Sequence, residues 1–570
     1  MSGIKPEKEE KASIKLFHNC TIITLDDKDQ IAEAMALHNG KILCVGSESE
    51  VAQYINNFNS QQRGETDVES IELNGKYIVP GFIDSHMHPG VYIFFKAQLN
   101  LSKIRSYEDL KSTINEYKNK KDQDEWILGY DLMEDLFSDP NEHIFPDRYK
   151  LDEICSDNPI LILRHDGHIC TTNSKALELI GVNKSSVRQL TPENGEIKID
   201  KQGEPTGIFT EGATSIAMSE LPIPSLEDLK GGAQKAWNEL ASFGITTIGG
   251  ILQTDEEGIA GKAGAMEVQL IQLMIREIGI KQDLVLYFST NRPKKLKRLK
   301  RKFDRLSRVE REFEVGGLKL YADGSFGART AYLFEPYSDS EEDLSGFMTI
   351  KEEDLYKKTK NTLKLGFQTI CHSIGDKSTD IVLNTFEKVV KDLKDESELL
   401  IDTENMLRIE HASQLNDDIL KKASKLGVIF ACQPAFINSE YTWLKNRLGK
   451  ERLKYTYPFK SILSAGITLS GASDAPIESA EVLEGIKACV IRKGFVPEEC
   501  ISVKEALKVF TKYAAKGINQ VDIKGTLEQG KIADFVVLNA DPLSIDENNQ
   551  EKELNNLKVL RTYHRGKRTY

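Results

Sequence analysis

Two histidines separated by one residue, His86 and His88, end an apolar run that begins at Tyr77. Residues i and i+2 of a β-strand point to the same face, so both imidazoles should project together from the end of this strand. Neutral imidazoles held side by side are common ligands of zinc and other transition metals. The alternative is a pair of ordinary polar side chains where a strand meets a loop, and the pair alone does not decide between the two.

Other residues that can bind metal or move protons follow later apolar segments, namely Lys319, His372, His411 and Asp474. The chain has only 10 histidines, and four of them lie at the ends of predicted strands. This placement favours one metal site over unrelated polar residues.

Lys319 and Asp474 each allow two interpretations. An apolar strand seldom keeps a lysine without a partner, so Lys319 predicts a salt bridge or a carbamate formed with CO2. The carbamate would turn the amine into a carboxylate-like ligand able to bridge two cations. Asp474 is predicted to act at the metal site, and capping of the following helix is its alternative.

These residues need a scaffold that brings several strand ends together. Strand-like and helical segments alternate through the middle of the chain, which predicts parallel strands joined by crossover helices. The eight predicted strands are the run that ends in His86 and His88, Gly244–Ile248, Leu284–Phe288, Gly317–Tyr321, Phe367–Cys371, Met406–Glu410, Val428–Ala431 and Ile467–Ser470. Eight such units predict an α/β fold of the (β/α)8 TIM-barrel type, whose chemistry lies at the carboxyl ends of the strands.

Both ends of the chain have a different pattern from the middle. Residues 13–76 consist of short strand-like segments with hairpin signals at Asn39-Gly40 and Asn74-Gly75. Residues 525–570 again alternate turns and strands. We therefore expect the two termini to form one small composite β-sandwich, with the barrel of residues 77–524 inserted between them.

The segment of chain between the first and the second predicted strand, from His88 to Gly244, is too long for one crossover connection. It predicts an inserted lid or substrate subdomain over residues 95–235. Its most polar stretch contains Arg164, Asp166 and His168. His165 and His168, with Cys170, could form a second metal site, but no fourth ligand follows. Substrate contact or plain loop structure is the better interpretation, and Asp166 and His168 are the predicted substrate contacts.

Composition and charge exclude several classes of protein. The chain has 570 residues, 29% of them charged, and a formal net charge of −13, which argues against a nucleic-acid partner. The basic run from Lys294 to Arg311 has apolar residues at helical spacing, so an outer barrel helix is the better interpretation.

No apolar segment is long enough to cross a membrane, and residues 1–12 predict a disordered tail without signal-peptide character. The 8 scattered cysteines indicate a reducing cytoplasmic location.

Several motifs resemble those of the amidohydrolase superfamily. They are Gly81-Phe-Ile-Asp-Ser-His-Met-His88, Arg408-Ile-Glu-His411, Ser473-Asp474-Ala-Pro476 and the closing segment Gly525-Thr-Leu-Glu-Gln-Gly-Lys-Ile-Ala-Asp-Phe-Val-Val-Leu538. A second set is similar to the N-substituted formamide deformylase-like branch, amidohydrolase family 3. It comprises Trp126-Ile-Leu-Gly-Tyr130, Arg164-His-Asp-Gly-His168, Lys319-Leu-Tyr-Ala-Asp-Gly-Ser325 and His372-Ser-Ile-Gly-Asp376. The resemblance covers nearly the whole chain beyond the first dozen residues.

The resemblance implies a metal-dependent hydrolase that cleaves a carbon–nitrogen bond other than a peptide bond, in an amide or formamide. It implies His86, His88, His372 and His411 as metal ligands, Lys319 as a carboxylated bridge and Asp474 as the proton shuttle. The expected cofactor is zinc, as one or two divalent ions, with other transition metals left open. Asp323 joins Asp166 and His168 as a predicted substrate contact.

The chain departs from the family pattern at two places. Strand two ends in Gly244-Ile-Thr-Thr-Ile-Gly-Gly250 where the family has a His-Asp pair, and Ala435-Phe436 replaces a polar residue after Gln433-Pro434. These positions lie near the substrate side, so substrate identity is left open. A deaminase on the same scaffold and a non-enzymatic scaffold protein are the rival functions. The expected partner is a small-molecule substrate, with no nucleic acid and no membrane. A homodimer is compatible with the sequence, which leaves the oligomeric state open.

Overall fold

The computed structural model describes residues 13–61, 66–164, 169–192, 195–254, 264, 266–340, 343–396, 405–546 and 548–570. Within these ranges the chain forms three sheets: one from both termini, one from an internal insertion, and one all-parallel sheet of barrel type. The predicted tail, residues 1–12, and the predicted substrate contacts Asp166 and His168 lie outside the described residues.

The amino-terminal segment forms strands, as predicted, and also one helix. Its elements are β1 (Ile14–Ile23), β2 (Ile31–Ala32), β3 (Ala34–His38), β4 (Lys41–Gly46), α1 (Glu48–Gln61) and β5 (Val68–Pro80). The hairpin predicted at Asn39-Gly40 is present, since both residues have positive φ and join the antiparallel strands β3 and β4. The prediction of strands alone was wrong, because Val51 and Ile55 bury one face of α1 against the sheet.

The hairpin predicted at Asn74-Gly75 was wrong. Both residues have positive φ, but they lie inside the single long strand β5. Strand β5 pairs in parallel with β1 on both sides of this point, and three of its residues, Leu73 to Gly75, lie opposite Asn19. The dipeptide therefore produces a bulge, which re-aims the strand without reversing it.

The apolar run that starts at Tyr77 is divided between two sheets. Strand β5 ends at Pro80 in the terminal sheet, and the barrel strand β6 (Phe82–Met87) begins two residues later. A Cβ on Gly81 would lie 2.5 Å from Thr246 Oγ1, so only glycine fits where the chain passes from one sheet to the other. The predicted boundary at residue 76 is accordingly four residues too early.

The segment between β6 and the next barrel strand contains a sheet of its own. Its elements are α2 (Pro89–Lys96), β7 (Leu99–Asn100), α3 (Tyr107–Lys118), β8 (Ile127–Leu132), α4 (Arg148–Ile154), β9 (Ile160–Arg164), β10 (Ile169–Thr172), α5 (Ser174–Ile180), α6 (Val187–Leu190), β11 (Gly195–Ile199), β12 (Pro205–Glu211), α7 (Thr214–Met218) and α8 (Leu226–Ser242). In the described part the strand order is β11-β12-β10-β9-β8-β7. Two separate apolar clusters cover the faces of this sheet.

The predicted limits of the insertion, 95 and 235, both fall inside helices. Helix α8 buries Ala233, Trp237 and Leu240 in the same apolar cluster as barrel strands, so it belongs to the outer layer of the barrel. Helix α8 lies against α2 and β13, whose apolar residues belong to the same cluster. The helical periodicity of apolar residues in α8 did not reveal whether this helix packs on the barrel or on the inserted subdomain.

The barrel strands all appear at or beside the predicted segments. The elements are β13 (Ile245–Gln253), α9 (Glu267–Glu277), β14 (Asp283–Ser289), α10 (Lys295–Asp304), β15 (Phe313–Tyr321), α11 (Glu352–Lys364), β16 (Gln368–Ser373), α12 (Asp376–Asp395), β17 (Leu407–His411), α13 (Asp417–Leu426), β18 (Ile429–Cys432), α14 (Phe436–Glu440), α15 (Leu444–Leu448), α16 (Phe459–Ser464), β19 (Leu469–Gly471), α17 (Val482–Val490), α18 (Val503–Val509) and α19 (Lys512–Gly517). Short 3-10 helices span Glu134–Leu136, Pro140–Glu142, Lys450–Tyr455, Arg492–Gly494 and Pro497–Glu499.

The described strands β6 and β13–β19 form one parallel sheet in chain order, which is the arrangement of a TIM barrel. Every residue of β6, β13 and β17 is buried, because helices cover the outside and side chains fill the inside. Helix α10 buries Leu296, Leu299 and Phe303, so the basic run forms an outer helix of the barrel as predicted.

Strands β19 and β6 approach each other at the carboxyl end of the barrel. The backbone N–H of Asp474 donates to the carbonyl of His86, and the N–H of His88 donates to the carbonyl of Ala475, each at 2.8 Å. Lower in the barrel, the hydroxyl of Ser85 donates to the carbonyl of Gly471 at 2.8 Å. These bonds place the first and last strand ends side by side, so residues distant in sequence share one rim.

The carboxyl-terminal segment returns to the first sheet. Its elements are β20 (Phe535–Leu538), α20 (Gln550–Asn556), β21 (Val559–His564) and β22 (Lys567–Arg568). The sheet order in the described residues is β22-β21-β20-β5-β1-β3-β4, so both termini contribute to one sheet. The sandwich form of this unit remains a prediction.

A buried ion network joins this sheet to the barrel. Asp283, at the start of β14, accepts hydrogen bonds from Lys524 (2.6 Å), His564 (2.9 Å) and Arg565 (2.9 Å). Burial alone would raise the pKa of Asp283, but these neighbouring groups hold it far below its usual value. Asp534 also contacts Lys524, at 3.3 Å. Because two cations already neutralise the carboxylates, this cluster is an ion-pair junction and not a metal site.

Among the described residues, no helix is both long and apolar enough to span a lipid bilayer.

Candidate metal centre

The two histidines of the opening motif lie at the carboxyl end of β6. The His86 and His88 ring centroids are 5.6 Å apart. His86 is fully buried, whereas His88 is half-buried and immediately precedes helix α2. Nδ1 of His86 donates a very short hydrogen bond to the Glu410 carboxylate, so Nε2 is the ring nitrogen left to face the centre of the rim.

Asp474 lies against both imidazoles. Its Oδ1 is 3.2 Å from His86 Nε2 and 3.1 Å from His88 Nε2. Burial alone would raise the pKa of Asp474, but the two imidazoles hold it well below its usual value, so the carboxylate stays ionised. The capping interpretation was wrong, because the next helix, α17, begins at Val482 with Glu481 as its cap residue.

His372 and His411 complete the group of four histidines at the rim. Their ring centroids are 4.4 Å apart, and the His411 ring is 5.3 Å from that of His86. Nε2 of His372 donates to the carbonyl of Gly324 at 2.9 Å, which leaves its Nδ1 free of that bond. Burial lowers the pKa of His372 to about 4 and that of His411 well below its usual value, so both rings are neutral at neutral pH.

Backbone conformation also directs these side chains. His411 and Asp474 both have left-handed backbones, with φ of 70° and 62°. Such conformations are unfavourable for residues with a Cβ, and they concentrate at functional sites where the surrounding structure holds them. His411 is the last residue of β17, and Asp474 lies three residues after the end of β19.

Lys319 lies deeper in the barrel, on β15. Its Nζ is 3.5 Å from His86 Nε2, and it forms no ion pair with any described carboxylate. The salt-bridge interpretation therefore lacks a partner in the described part of the chain. Burial lowers the pKa of Lys319 to about 8, although the Glu410 and Asp474 carboxylates oppose this shift. At neutral pH, Lys319 is therefore the neutral amine in a larger fraction of molecules than an exposed lysine would be.

Glu410, whose buried carboxylate accepts from His86, is itself paired with the buried guanidinium of Arg408. Arg408 Nε donates to Glu410 Oε1 at 2.6 Å, and Arg408 Nη2 donates to Glu410 Oε2 at 3.2 Å. Arg408 also donates to the carbonyls of Ser85 (3.1 Å) and Gly517 (2.9 Å). Burial alone would raise the pKa of Glu410, but Arg408 and His86 hold it far below its usual value. Glu410 is therefore a charged acceptor that fixes the tautomer of His86.

Asp323, a predicted substrate contact, is fully engaged by the chain itself. Its carboxylate accepts hydrogen bonds from the backbone N–H groups of Tyr332 (2.9 Å), Ile374 (3.0 Å) and Gly375 (2.9 Å) and from the Ser378 hydroxyl (2.6 Å). These bonds join the loop after β15 to the loop after β16. The geometry gives Asp323 a positioning role for the loops beside His372, and substrate contact by Asp323 stays a prediction.

The two departures from the family pattern have structural counterparts. A Cβ on Gly249 would lie 2.1 Å from the Ser85 carbonyl oxygen. Glycine at this position therefore allows β13 to pack closely against β6, the strand that carries His86. Phe436 stacks on His411, with ring centroids 6.2 Å apart and planes 15° apart. The rim beside His411 therefore presents an aromatic face where the sequence pattern led us to look for a polar group.

The residues present fit a divalent cation. His86, His88 and Asp474 each offer one ligand atom, and the three atoms lie within 4.8 Å of one another. Asp474 Oδ1, which lies beside both imidazoles, is buried and has no aligned hydrogen-bond partner among the described residues, and the same is true of His411 Nδ1. Buried polar atoms without partners are costly, and a cation bound between His86, His88 and Asp474 would satisfy Asp474 Oδ1. Imidazole nitrogens with carboxylate oxygens are donors that zinc and similar metals accept.

The structure thus brings His86, His88, His372, His411 and Asp474 to one rim, with Lys319 deeper in the barrel beside His86. Arg408 and Glu410 had no predicted role, although both belong to the motif Arg408-Ile-Glu-His411. The available signal was two opposite charges two residues apart in an otherwise apolar strand, which must pair if that strand is buried.

Comparisons with known proteins give a consistent picture. A model of the Amidohydrolase family matches residues 69–570. YtcJ of Bacillus subtilis (strain 168) is 27% identical over 97% of this chain and 99% of its own length. An N-substituted formamide deformylase of Arthrobacter pascens is 26% identical over 96% of each chain. The crystal structure of an uncharacterized metal-dependent hydrolase from Pyrococcus furiosus is 28% identical, covers 93% of this chain and 100% of its own, and has a TM-score of 0.69.

Proposed function

Because the chain belongs to the amidohydrolase family, we propose that it is a metal-dependent hydrolase that cleaves a non-peptide carbon–nitrogen bond of an amide or formamide. The observation that carries this proposal is the convergence of His86, His88 and Asp474 on one point. The family match and the Pyrococcus furiosus hydrolase support hydrolysis. The similarity to an N-substituted formamide deformylase favours an amide-type substrate.

The proposed metal ligands are His86, His88, His372 and His411, with carboxylated Lys319 as a bridge between two ions. Zinc is the proposed metal, because the donors are imidazoles and carboxylates. When bound, a divalent cation lowers the pKa of the attacking water and polarises the acyl oxygen of the substrate. His86 can serve as a ligand only through Nε2, since its Nδ1 donates to Glu410.

Carboxylation of Lys319 is chemically favoured by its surroundings. Attack on CO2 requires the neutral amine, and burial lowers the pKa of Lys319 to about 8. The amine nitrogen forms a bond to the carbon of CO2 and releases one proton, which leaves a carbamate with one negative charge. The carbamate replaces a buried positive charge near cations by a negative one, so it removes a like-charge penalty.

Asp474 is the proposed proton shuttle. Its carboxylate is ionised and lies at the rim between His86 and His88, so it can accept the proton of the attacking water. As the carbon–nitrogen bond breaks, the same carboxyl group returns the proton to the departing nitrogen, which leaves as an amine. Each turnover thus restores the charged carboxylate.

The inserted subdomain is proposed to select the substrate and not to perform the chemistry. It follows directly after the His86 strand, where a lid over the rim would begin, and it contains Asp166 and His168. His168→Ala should change KM or substrate preference while metal content stays at the parent level. Loss of metal from this variant would instead favour a second metal site.

Metal analysis combined with hydrolysis assays tests the proposed function. We expect stoichiometric divalent metal in the purified protein and release of amine from formamides or other amides. The activity should disappear with a chelator and return with zinc. Nucleobase amines belong in the same panel, because their hydrolysis with no turnover of amides would establish the deaminase alternative. Metal-free protein of full stability, with no activity on either class, would refute a hydrolytic function.

A further inference from the structure

Tyr321 is the last residue of β15 and follows Lys319 by two positions. Residues i and i+2 of a strand share a face, so the Tyr321 side chain projects into the mouth of the barrel above Lys319. It lies directly opposite His372 on the neighbouring strand β16. The Tyr321 and His372 ring centroids are 5.8 Å apart, and Lys319 Nζ is 5.1 Å from the Tyr321 ring.

These two contacts involve the aromatic ring and do not require the hydroxyl. Tyr321 is half-buried, and its hydroxyl forms no hydrogen bond with any residue in the described part of the chain. Phenylalanine would make both ring contacts without bringing a polar group into the site. A hydroxyl beside the proposed metal ligands is therefore free to bond with a molecule that enters the rim.

We propose that the Tyr321 hydroxyl donates a hydrogen bond to the acyl oxygen of the substrate as negative charge develops on that oxygen. This inference rests on the proposed function and identifies a further catalytic residue for it. A neutral phenol is a hydrogen-bond donor at neutral pH. No covalent bond changes at Tyr321, and its proton stays on the phenol oxygen throughout.

The proposed donor also narrows the class of substrate. A hydroxyl directed at the reacting centre needs an acceptor there, and the carbonyl oxygen of an amide or formamide supplies one. Such a donor stabilises the transition state more than the bound substrate, because negative charge accumulates on the acyl oxygen only as the reaction proceeds. Charge-assisted hydrogen bonds of this kind are stronger than neutral ones. The expected effect of its removal is therefore on kcat and not on KM.

The test compares the zinc-loaded parent protein with Tyr321→Phe and with Tyr356→Phe. Tyr356 is a control on outer helix α11, where its hydroxyl donates to Asp392 at 2.5 Å. The three proteins are compared for metal content, for kcat and KM on a formamide that the parent hydrolyses, and for binding of acetohydroxamate by calorimetry. For Tyr321→Phe we expect unchanged metal content, kcat lower by about 10²–10³-fold, KM within a few-fold of the parent, and acetohydroxamate binding weaker by about 10-fold or more.

Two results would overturn the proposal. Parent-like kcat and acetohydroxamate affinity in Tyr321→Phe would show that only the ring matters. Loss of metal from this variant would make the hydroxyl a support for Lys319 and not a substrate donor. If the parent hydrolyses no amide, the proposed function fails on that result. The acetohydroxamate comparison then still decides whether Tyr321 donates to an oxygen ligand.

Discussion

Glu410→Gln tests how the chain prepares His86 for metal. The Glu410 carboxylate can only accept from His86 Nδ1, which fixes the proton on Nδ1 and leaves Nε2 unprotonated. A glutamine amide can donate to Nδ1 instead, and the proton would then move to Nε2, where it blocks metal binding. Carboxylates that orient a metal-binding histidine typically contribute about 10–100-fold to metal affinity. We expect a loss of this size for Glu410→Gln.

The same substitution leaves Arg408 without its charged partner. Arg408 is fully buried and donates two hydrogen bonds to Glu410, at 2.6 and 3.2 Å. Removal of one member of a buried ion pair costs about 3–5 kcal/mol of stability. Replacing Arg408 by Met together with Glu410→Gln should recover much of this stability. It should not recover metal affinity, because the His86 tautomer remains free.

Chelator competition measures metal affinity, and urea denaturation with excess chelator measures the stability of the metal-free protein. Glu314→Gln is the matched control. Glu314 accepts hydrogen bonds from Arg311 (3.0 Å) and Gln520 (2.8 Å) but lies near the start of β15, away from the rim. Metal affinity equal to the parent in Glu410→Gln would refute the idea that Glu410 sets the state of His86.

Further predictions concern the remaining residues of the rim. Replacing His86 and His88 together by Ala should give a folded protein with little bound metal and no hydrolysis, and retained stoichiometric metal by elemental analysis would place the site elsewhere. Asp474→Asn should keep its metal and lose rate by about 10²–10⁴-fold; an unchanged kcat would remove the shuttle role. Lys319→Ala should lower metal content, and added acetate should restore part of the activity; full metal content in this variant would exclude the bridge. In metal-free protein, the pKa of His372 is lowered to about 4 by burial, so below pH 6.5 the unfolded chain binds a proton that the folded site does not. The free energy of unfolding should therefore fall by about 1.6 kcal/mol between pH 6.5 and pH 5 from His372 alone, and a flat profile in chelator-treated protein would contradict this assignment.

Much of the fold could be read from the sequence because periodicity and turn chemistry are local properties. Each of the predicted barrel strands is present, since a fully buried parallel strand requires an unbroken apolar segment of limited length. The hairpin at Asn39-Gly40 followed from residues that accept positive φ. The same chemistry at Asn74-Gly75 gave a bulge, because the residues that pair with β5 are distant in sequence.

The candidate site divides in the same way. The residue types His, Lys and Asp at strand ends were visible in the sequence, because parallel strands bring their carboxyl ends to one rim. The pairing of Asp474 with His86 and His88 depends on the approach of β19 to β6, which no local pattern encodes. Asp323 was predicted to contact substrate, and only the fold reveals that three backbone N–H groups donate to its carboxylate. The local sequence determined which groups could do chemistry, and long-range packing decided which atoms face the centre, because hydrogen-bond partners are set by distance in space and not along the chain.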